Sequence, residues 1–339
     1  MWGAGGAWRV SLPARMAHQP DISVVVPSHN RPLRLLWLLN ALEQQTLPRD
    51  RWELVVVHDS DDETDEVLLA HPLHQAGVLR RVHLEPGTGS PARQRNVGWR
   101  EARGELIAFT DDDTRPEPDW VERLLDAARR HPRAVVQGAT KPDPFEIEVM
   151  EWAPRPRSMD VDPPGPHAQT CNILYPRDAL EAVDGFDESF PYPAGEDWDL
   201  AIRVQKAGYG YVGEPGALVY HACDEFGLWQ AIAFNKRWQS LPLVLKRHPE
   251  QRSILYKKLF WKHRHMWLPP ALAGLVLQRR HPLALLLAAP YVMYTLPHHG
   301  AYPQGRLRAA IELLGFAAVD AAEIAAMIAG SVRYRTVML

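Results

Sequence analysis

The chain is expected to be an α/β protein: a mostly parallel sheet flanked by helices, followed by a helical C-terminal region. Three observations carry that expectation. Short β-branched runs alternate with helical patterns between residues 21 and about 225. Several of those runs end in proline or in acids, as strands do where they enter loops. From about residue 225 onward the apolar spacing is helical. Alternation of this kind predicts right-handed βαβ units on one sheet.

Taken in order, Ile22 to Val26 is a buried strand stopped by Pro27. Pro32 opens a helix, with Leu33, Leu36, Trp37, Asn40 and Ala41 at helical spacing. Leu54 to Val57 is a second strand, Glu63 to Ala70 a short helix and Val78 to Leu84 a third strand. Pro91 to Arg103 is a helix closed by Gly104. Leu106 to Phe109 is a fourth strand running into acids, Pro118 to Arg130 the next helix and Ala134 to Gln137 a fifth strand. Residues 140–168 are proline-rich and without period, which predicts a long functional loop. Then come a strand over Gln169 to Tyr175, a helix over Asp178 to Val183, a helix over Gly195 to Ala207 stopped by Gly208, and short strands at Tyr209 to Gly213 and Leu218 to His221.

The 339 residues suggest two domains, or one large domain with an appendage. Hydrophobic residues at 46% and charged residues at 23% exclude wholesale disorder. Lys and Arg number 38 against 41 Asp and Glu, a net charge of -3, so no nucleic-acid partner is expected. Two cysteines, Cys171 and Cys223, make neither a disulfide framework nor a cysteine zinc site, which fits a reducing compartment. Residues 1–20 lack an apolar core for export and are expected to be a disordered leader, with Met16 as an alternative start. The chemistry is then expected on the cytoplasmic side.

The last ninety or so residues differ in character. Pro282 to Pro297 is an uncharged apolar run, Met266 to Leu277 a shorter one, and Arg279, Arg280 and His281 separate them. Neither reaches the ~20 residues of a simple spanning helix. Two readings fit: a hairpin dipping into the inner leaflet of a membrane, peripheral or monotopic at its cytoplasmic face and flanked by Lys257, Lys258, Lys262 and Arg264, or a helical subdomain packed on the catalytic core.

In open α/β sheets, ligands bind outside the carboxyl ends of the strands. Three such ends stand out: Pro27-Ser28-His29-Asn30-Arg31, His58-Asp59-Ser60-Asp61-Asp62 and Asp111-Asp112-Asp113. No Gly-x-Gly-x-x-Gly and no Walker P-loop follows any strand. Three consecutive aspartates at a strand mouth repel one another unless a cation compensates. Mg²⁺ or Mn²⁺ would do so and bridge to a diphosphate. The other reading is an acid cluster favouring the dipole of the helix near Pro118.

Four segments in order resemble a family 2 glycosyltransferase: DISVVVPSHNRP at 21–32, ELVVVHDSDDET at 53–64, PARQRNVGWREARGELIAFTDDD at 91–113, and GFDESF with GEDWDLAIRVQKAGY between 185 and 209. The resemblance, which runs over roughly 21–225, implies the GT-A nucleotide-diphospho-sugar transferase fold, a Rossmann-like sheet, as a catalytic domain over 21–240; the helical region expected over 241–339 lies outside it. It implies that Pro27, His29 and Asn30 line the nucleotide pocket, that Asp59 bonds the base, and that Arg95 contacts the nucleotide. His58 stands where the family often has a second acid. Asp111 and Asp113 match the family's Asp-x-Asp, with Asp111 toward ribose or metal and Asp113 on the metal. Asp112, also acidic, shares the candidacy for the nucleotide side.

In the same resemblance Asp197 matches the base that activates the acceptor, with Glu196 beside it. Glu196 also suits a helix N-terminus. Inverting transfer needs one carboxylate to take a hydroxyl proton while charge builds on a departing diphosphate, so it needs two separated acid sites. Asp199 is expected to be structural. His221 is either a third metal ligand or a histidine ending a strand. Asn172 and Trp198 are candidates for the acceptor side, with the core the favoured reading for Trp198. Phe234 to Trp238 resembles the Arg-Trp element of processive relatives.

The implied reaction moves a sugar from a nucleotide-diphospho-sugar, UDP-linked by family frequency with GDP and dTDP as alternatives, to a glycan, lipid-linked or small-molecule acceptor, with Mn²⁺ or Mg²⁺. The rivals are a non-catalytic nucleotide-sugar-binding or membrane-scaffold protein, which needs none of these acids, and a sugar-1-phosphate nucleotidylyltransferase. The latter would need a glycine-rich first loop that residues 27–31 lack.

Overall fold

The computed structural model describes residues 9–10, 19–153, 155–299 and 303–339; most of the expected leader lies outside the described residues. A short strand β1 (Arg9–Val10) is followed by β2 (Ile22–Ser28) and β3 (Trp52–His58), the latter two buried at every position. Burial on both faces is why these two strands are continuous β-branched runs. Then come β4 (Leu79–His83), β5 (Leu106–Thr110), β6 (Thr114–Pro116), β7 (Ala134–Pro142), β8 (Pro156–Arg157), β9 (Asn172–Pro176), β10 (Gly210–His221) and β11 (Asp224–Glu225).

Nine strands form one sheet in the order β1-β4-β3-β2-β5-β9-β7-β10-β6, and β8 pairs with β11. Strands β4, β3, β2 and β5 are parallel, as expected. The other half is mixed. Strand β9 lies antiparallel between β5 and β7, β10 is parallel to β7, and β6 is antiparallel to β10. The two short strands expected around 209–221 are one strand, β10, with a register shift between Glu214 and Leu218. Pro215 sits in that gap, and its missing N–H accounts for the interruption. The expected loop over 140–168 holds the end of β7, a helix Ile147–Trp152 and β8.

Side chains alternate between the two faces of the sheet. Val24 and Val26 point to one side, with Leu35, Leu38, Leu39 and Leu42 of helix Pro32–Glu43 and Trp120 and Leu124 of helix Trp120–Arg130. Val25, Val55 and Val57 point to the other, with Ala92 and Trp99 of helix Pro91–Glu101 and Leu200 and Val204 of helix Glu196–Lys206.

The chain forms two compact units. The first holds the sheet: residues up to Ile147, Ser158–Ser189 and Glu196–Cys223. The second holds Glu148–Arg157, Phe190–Gly195 and Asp224–Leu339. In the second unit, Leu268 and Ala271 of helix His263–Leu277 pack with Tyr291 of helix Ala289–Thr295. Polar clamps join these helices to helix Leu313–Tyr334: Arg264 reaches Asp320 at 3.0 Å, the Tyr291 hydroxyl donates to Asp320 at 2.8 Å, and Lys262 and His265 both engage Glu323. Burial would raise the Glu323 carboxyl, but the His265 hydrogen bond and the Lys262 charge outweigh it and hold it down at about 2. Leu313–Tyr334 is long and apolar enough to cross a membrane by length and composition. The run from Pro282 is a 3₁₀ turn to Ala288 and then the short helix Ala289–Thr295.

Candidate active site

Strand register builds the first cluster. Strand β6 begins one residue after Asp113, and its Thr114 is the register partner of His221 at the end of β10. The Ala222 N–H donates to the Asp113 carbonyl at 2.9 Å. Asp113 and His221 are therefore neighbours although distant in sequence. Ligand atoms of Asp111, Asp113 and His221 all lie within 4.8 Å of one another. His221 Nδ1 bonds the Ala222 carbonyl at 2.9 Å, and a carbonyl only accepts, so Nδ1 carries the proton. In the neutral ring the Nε2 lone pair then faces Asp113 Oδ1 at 3.5 Å. Two acceptors aimed at each other suit a cation between them. Two carboxylates and an imidazole form a donor set that Mn²⁺ or Mg²⁺ accepts. Arg31 also meets Asp113, at 2.7 Å.

The three aspartates do not act alike. Asp111 and Asp113 join the cluster, while Asp112 turns inward and accepts the Ser28 hydroxyl at 2.7 Å. Burial first, then the Asp113 charge, pushes the Asp112 carboxyl up to about 7.

The second strand mouth lies beside the first. Buried Asp59 accepts from Gln94 Nε2 at 2.8 Å and from the Gly89 N–H at 2.8 Å, and His29 Nδ1 lies 2.9 Å from its Oδ1. The His29 side chain is 57% exposed, leaving a ring face open to a ligand. Asn30 adopts a left-handed φ of 49°, which asparagine tolerates. Its N–H donates to Ser60 Oγ, and its side-chain oxygen accepts the Asp61 N–H. Pro27 is buried in β2, in register with Val57. His58 is wholly buried, stacks on His83 at 4.3 Å and bonds Asp65 at 2.8 Å. Burial, then the His83 charge, lowers its pKa to about 4. Its ring is engaged by Asp65 and His83.

Arg95 links the acid sites. Its guanidinium donates to Asp111 at 2.8 Å and lies 3.6 Å from Glu196 and 3.7 Å from Asp197. It is 5% exposed. Burial opposes its charge, but Asp111, Asp197 and Glu196 outweigh that and raise its pKa. Asp197 Oδ2 accepts the Thr170 N–H at 3.1 Å, while Asp197 Oδ1 and Glu196 Oε2 are buried with no hydrogen-bond partner. Burial, then the Asp197 charge, pushes Glu196 up to about 8; burial also raises Asp197, against the pull of Arg95.

Pro27, His29, Asn30, Asp59, Arg95, Asp111, Asp113, Glu196, Asp197 and His221 all belong to the first unit. Asp199 is buried and paired with Arg203 at 2.7 Å. One acceptor-side candidate is corrected, and the core reading of the other holds. Asn172 is buried among Trp120 Nε1 and the carbonyls of Ala139 and Ala217, so its amide is consumed in joining strands. Trp198 is 2% exposed and packs edge-on to His167, so it offers no face to an acceptor. Gln94, Arg31 and Thr170 were missed. Gln94 and Arg31 do lie inside the segments that carry the resemblance.

Residues 23–183 match the family described as Glycosyl transferase family 2. The chain is 30% identical over 276 residues to the pre-mycofactocin glycosyltransferase of Mycobacterium tuberculosis, covering 73% of this chain and 54% of that relative. The chain thus spans about half that relative's length. The fold is similar to a mannosyltransferase from Pyrobaculum calidifontis solved with GDP-Man and Mn²⁺, at a TM-score of 0.55 and 21% identity over 97% of this chain and 90% of that one. It is also similar to TarS of S. aureus solved with UDP-GlcNAc, at a TM-score of 0.53 and 17% identity over 93% and 92%. At these identities the two structures speak to the GT-A fold.

Proposed function

The chain belongs to glycosyl transferase family 2 and is a glycosyltransferase, and from that premise we propose that it inverts the anomeric centre while moving a sugar from a nucleotide-diphospho-sugar to an acceptor hydroxyl. The observation that carries this is the pair of buried, unpartnered carboxylate oxygens on Glu196 and Asp197, one guanidinium away from the Asp111–Asp113–His221 cluster. A non-catalytic scaffold has no use for such a costly arrangement.

In this reading Glu196 keeps its proton near neutral pH and Asp197 is the anionic base. Thr170 orients Asp197 through Oδ2, leaving Oδ1 to accept the acceptor's hydroxyl proton. The acceptor oxygen bonds the anomeric carbon as the bond to the diphosphate oxygen breaks, and the nucleoside diphosphate leaves with that electron pair. Arg95 faces the phosphates, and His29 offers its ring to the base beside Asp59. Mn²⁺ or Mg²⁺ held by Asp111, Asp113 and His221 would neutralise charge developing on the leaving diphosphate. UDP is the proposed nucleotide, with GDP and dTDP as the alternatives a thermal-shift screen with and without Mn²⁺ separates. The acceptor is a glycan, lipid-linked or small-molecule hydroxyl, met at the cytoplasmic face of a membrane.

Asp197→Asn is expected to lower kcat about 10²- to 10⁴-fold while calorimetry shows unchanged UDP affinity. Transfer at the wild-type rate would remove Asp197 as base. Asp113→Ala is expected to abolish the Mn²⁺-dependent part of UDP binding; unchanged Mn²⁺-linked affinity would take Asp113 out of the site.

A further inference from the structure

Arginine grips both ends of the Asp111–Asp113 pair, and the two arginines differ. Arg95 holds Asp111 at 2.8 Å and is buried, with Glu196 and Asp197 facing it as well. Arg31 donates to Asp113 Oδ2 at 2.7 Å and lies 3.6 Å from Asp112 Oδ1, yet its side chain is 48% exposed. Arg95 is locked among carboxylates. Arg31 can change rotamer at the surface without opening the core.

Arg31 also stands where a helix does not want a cation. It is the N-cap residue of helix Pro32–Glu43: its carbonyl accepts the Leu35 N–H at 3.0 Å, but its side chain makes no capping bond. That position favours a side-chain acceptor, and the helix dipole opposes positive charge there. The energetics of the helix therefore do not account for the arginine, whereas the ion pair with Asp113 does. The other oxygen of that carboxylate, Oδ1, is the one facing His221 Nε2 at 3.5 Å. A guanidinium and a divalent cation drawn to the same carboxylate repel each other.

We propose that Arg31 is a displaceable counter-ion, which competes with the divalent cation for Asp113 and, once displaced, swings to the diphosphate of the donor. The inference rests on the sugar-transfer reading, and within it on Asp113 as a cation ligand. In that reading the diphosphate lies between the base beside His29 and the cation at Asp113. A guanidinium matches two phosphate oxygens bidentately. The two binding events are thereby coupled: the cation alone binds against Arg31, and the nucleotide relieves that opposition.

The test measures two affinities on the full chain, for the wild type, Arg31→Gln and Arg31→Lys. Mn²⁺ alone is followed by electron paramagnetic resonance, and UDP at saturating Mn²⁺ by calorimetry. Arg31→Gln is expected to bind Mn²⁺ alone about tenfold more tightly, through lost repulsion, and UDP about tenfold more weakly, through lost charge-assisted bonds. Arg31→Lys keeps the charge but not the fork, so Mn²⁺ affinity should stay near wild type while UDP affinity falls. Equal Mn²⁺ binding by the wild type and Arg31→Gln, including none by either, overturns the proposal, as does unchanged UDP affinity. Weakening of both affinities, the mark of a residue that only holds the loop in place, overturns it as well. Unchanged Mn²⁺ binding in Asp113→Ala would overturn the cation site itself, and is read separately from Arg31.

Discussion

Glu196 and Asp197 are adjacent on one helix turn, and the guanidinium of Arg95 is the cation that faces both. The folded protein keeps a proton on Glu196 where an unfolded glutamate has lost it. The native state therefore binds more protons than the unfolded state between about pH 4.5 and pH 8, and stability falls as pH rises through that window. Glu196→Gln is expected to remove that loss, flattening the slope by up to about 1 kcal/mol per pH unit. Thermal denaturation of both proteins across the window checks it; parallel slopes would show that Glu196 is ionised throughout. At this scale the candidate residues were legible as acids close behind apolar runs, as at Asp59 and Asp111. It did not show that Asp112 turns toward Ser28, or that the Asn172 amide is spent among strands. Those directions depend on partners 84 and 33 to 52 residues away.

Helix Pro91–Glu101 carries Gln94 and Arg95 to the site, and its closeness to the sheet rests on Gly98. A Cβ there would lie 2.3 Å from Val25 Cγ1 and 3.2 Å from Val57 Cγ2, both in buried strands. Gly98→Ala must lift the helix or displace the strands, and about 1–3 kcal/mol of stability should be lost to overpacking. Because the helix carries Arg95 one turn earlier, UDP affinity should fall as well. Wild-type Tm and wild-type affinity together would show slack in this packing. The parallel strands and their helices were legible because a short β-branched run and a 3.6-residue period are both written locally. The antiparallel insertion of β9 and the union of two expected strands into β10 were not, because pairing between distant segments leaves no local period.

Over the whole chain the net charge is only -3, so long-range attraction to an anionic surface must come from local patches. In the second unit Val276 and Leu283 are 74% and 79% exposed, and Arg279 and Arg280 lie between them in sequence. An apolar surface with such a basic rim fits the interfacial layer of an anionic membrane. Co-sedimentation with phosphatidylglycerol vesicles is expected, weakened by salt. At about 1 kcal/mol per basic residue, Arg279→Glu with Arg280→Glu should reduce binding about tenfold or more. Full recovery of the wild-type chain in the supernatant would count against membrane contact. Length suggests two domains or one with an appendage, whereas the polar clamps of Asp320 and Glu323 depend on helix packing that no local pattern encodes. The insertion of β9 between β5 and β7 also has a kinetic consequence. Arg95 and Asp197, and likewise Asp113 and His221, are more than a hundred residues apart along the chain. Large loops must close before these pairs can meet, and high contact order makes such closure slow. During refolding from denaturant, helical signal should therefore return ahead of nucleotide binding, and a ribosome-bound chain that has not yet emerged past β10 would hold no finished pocket.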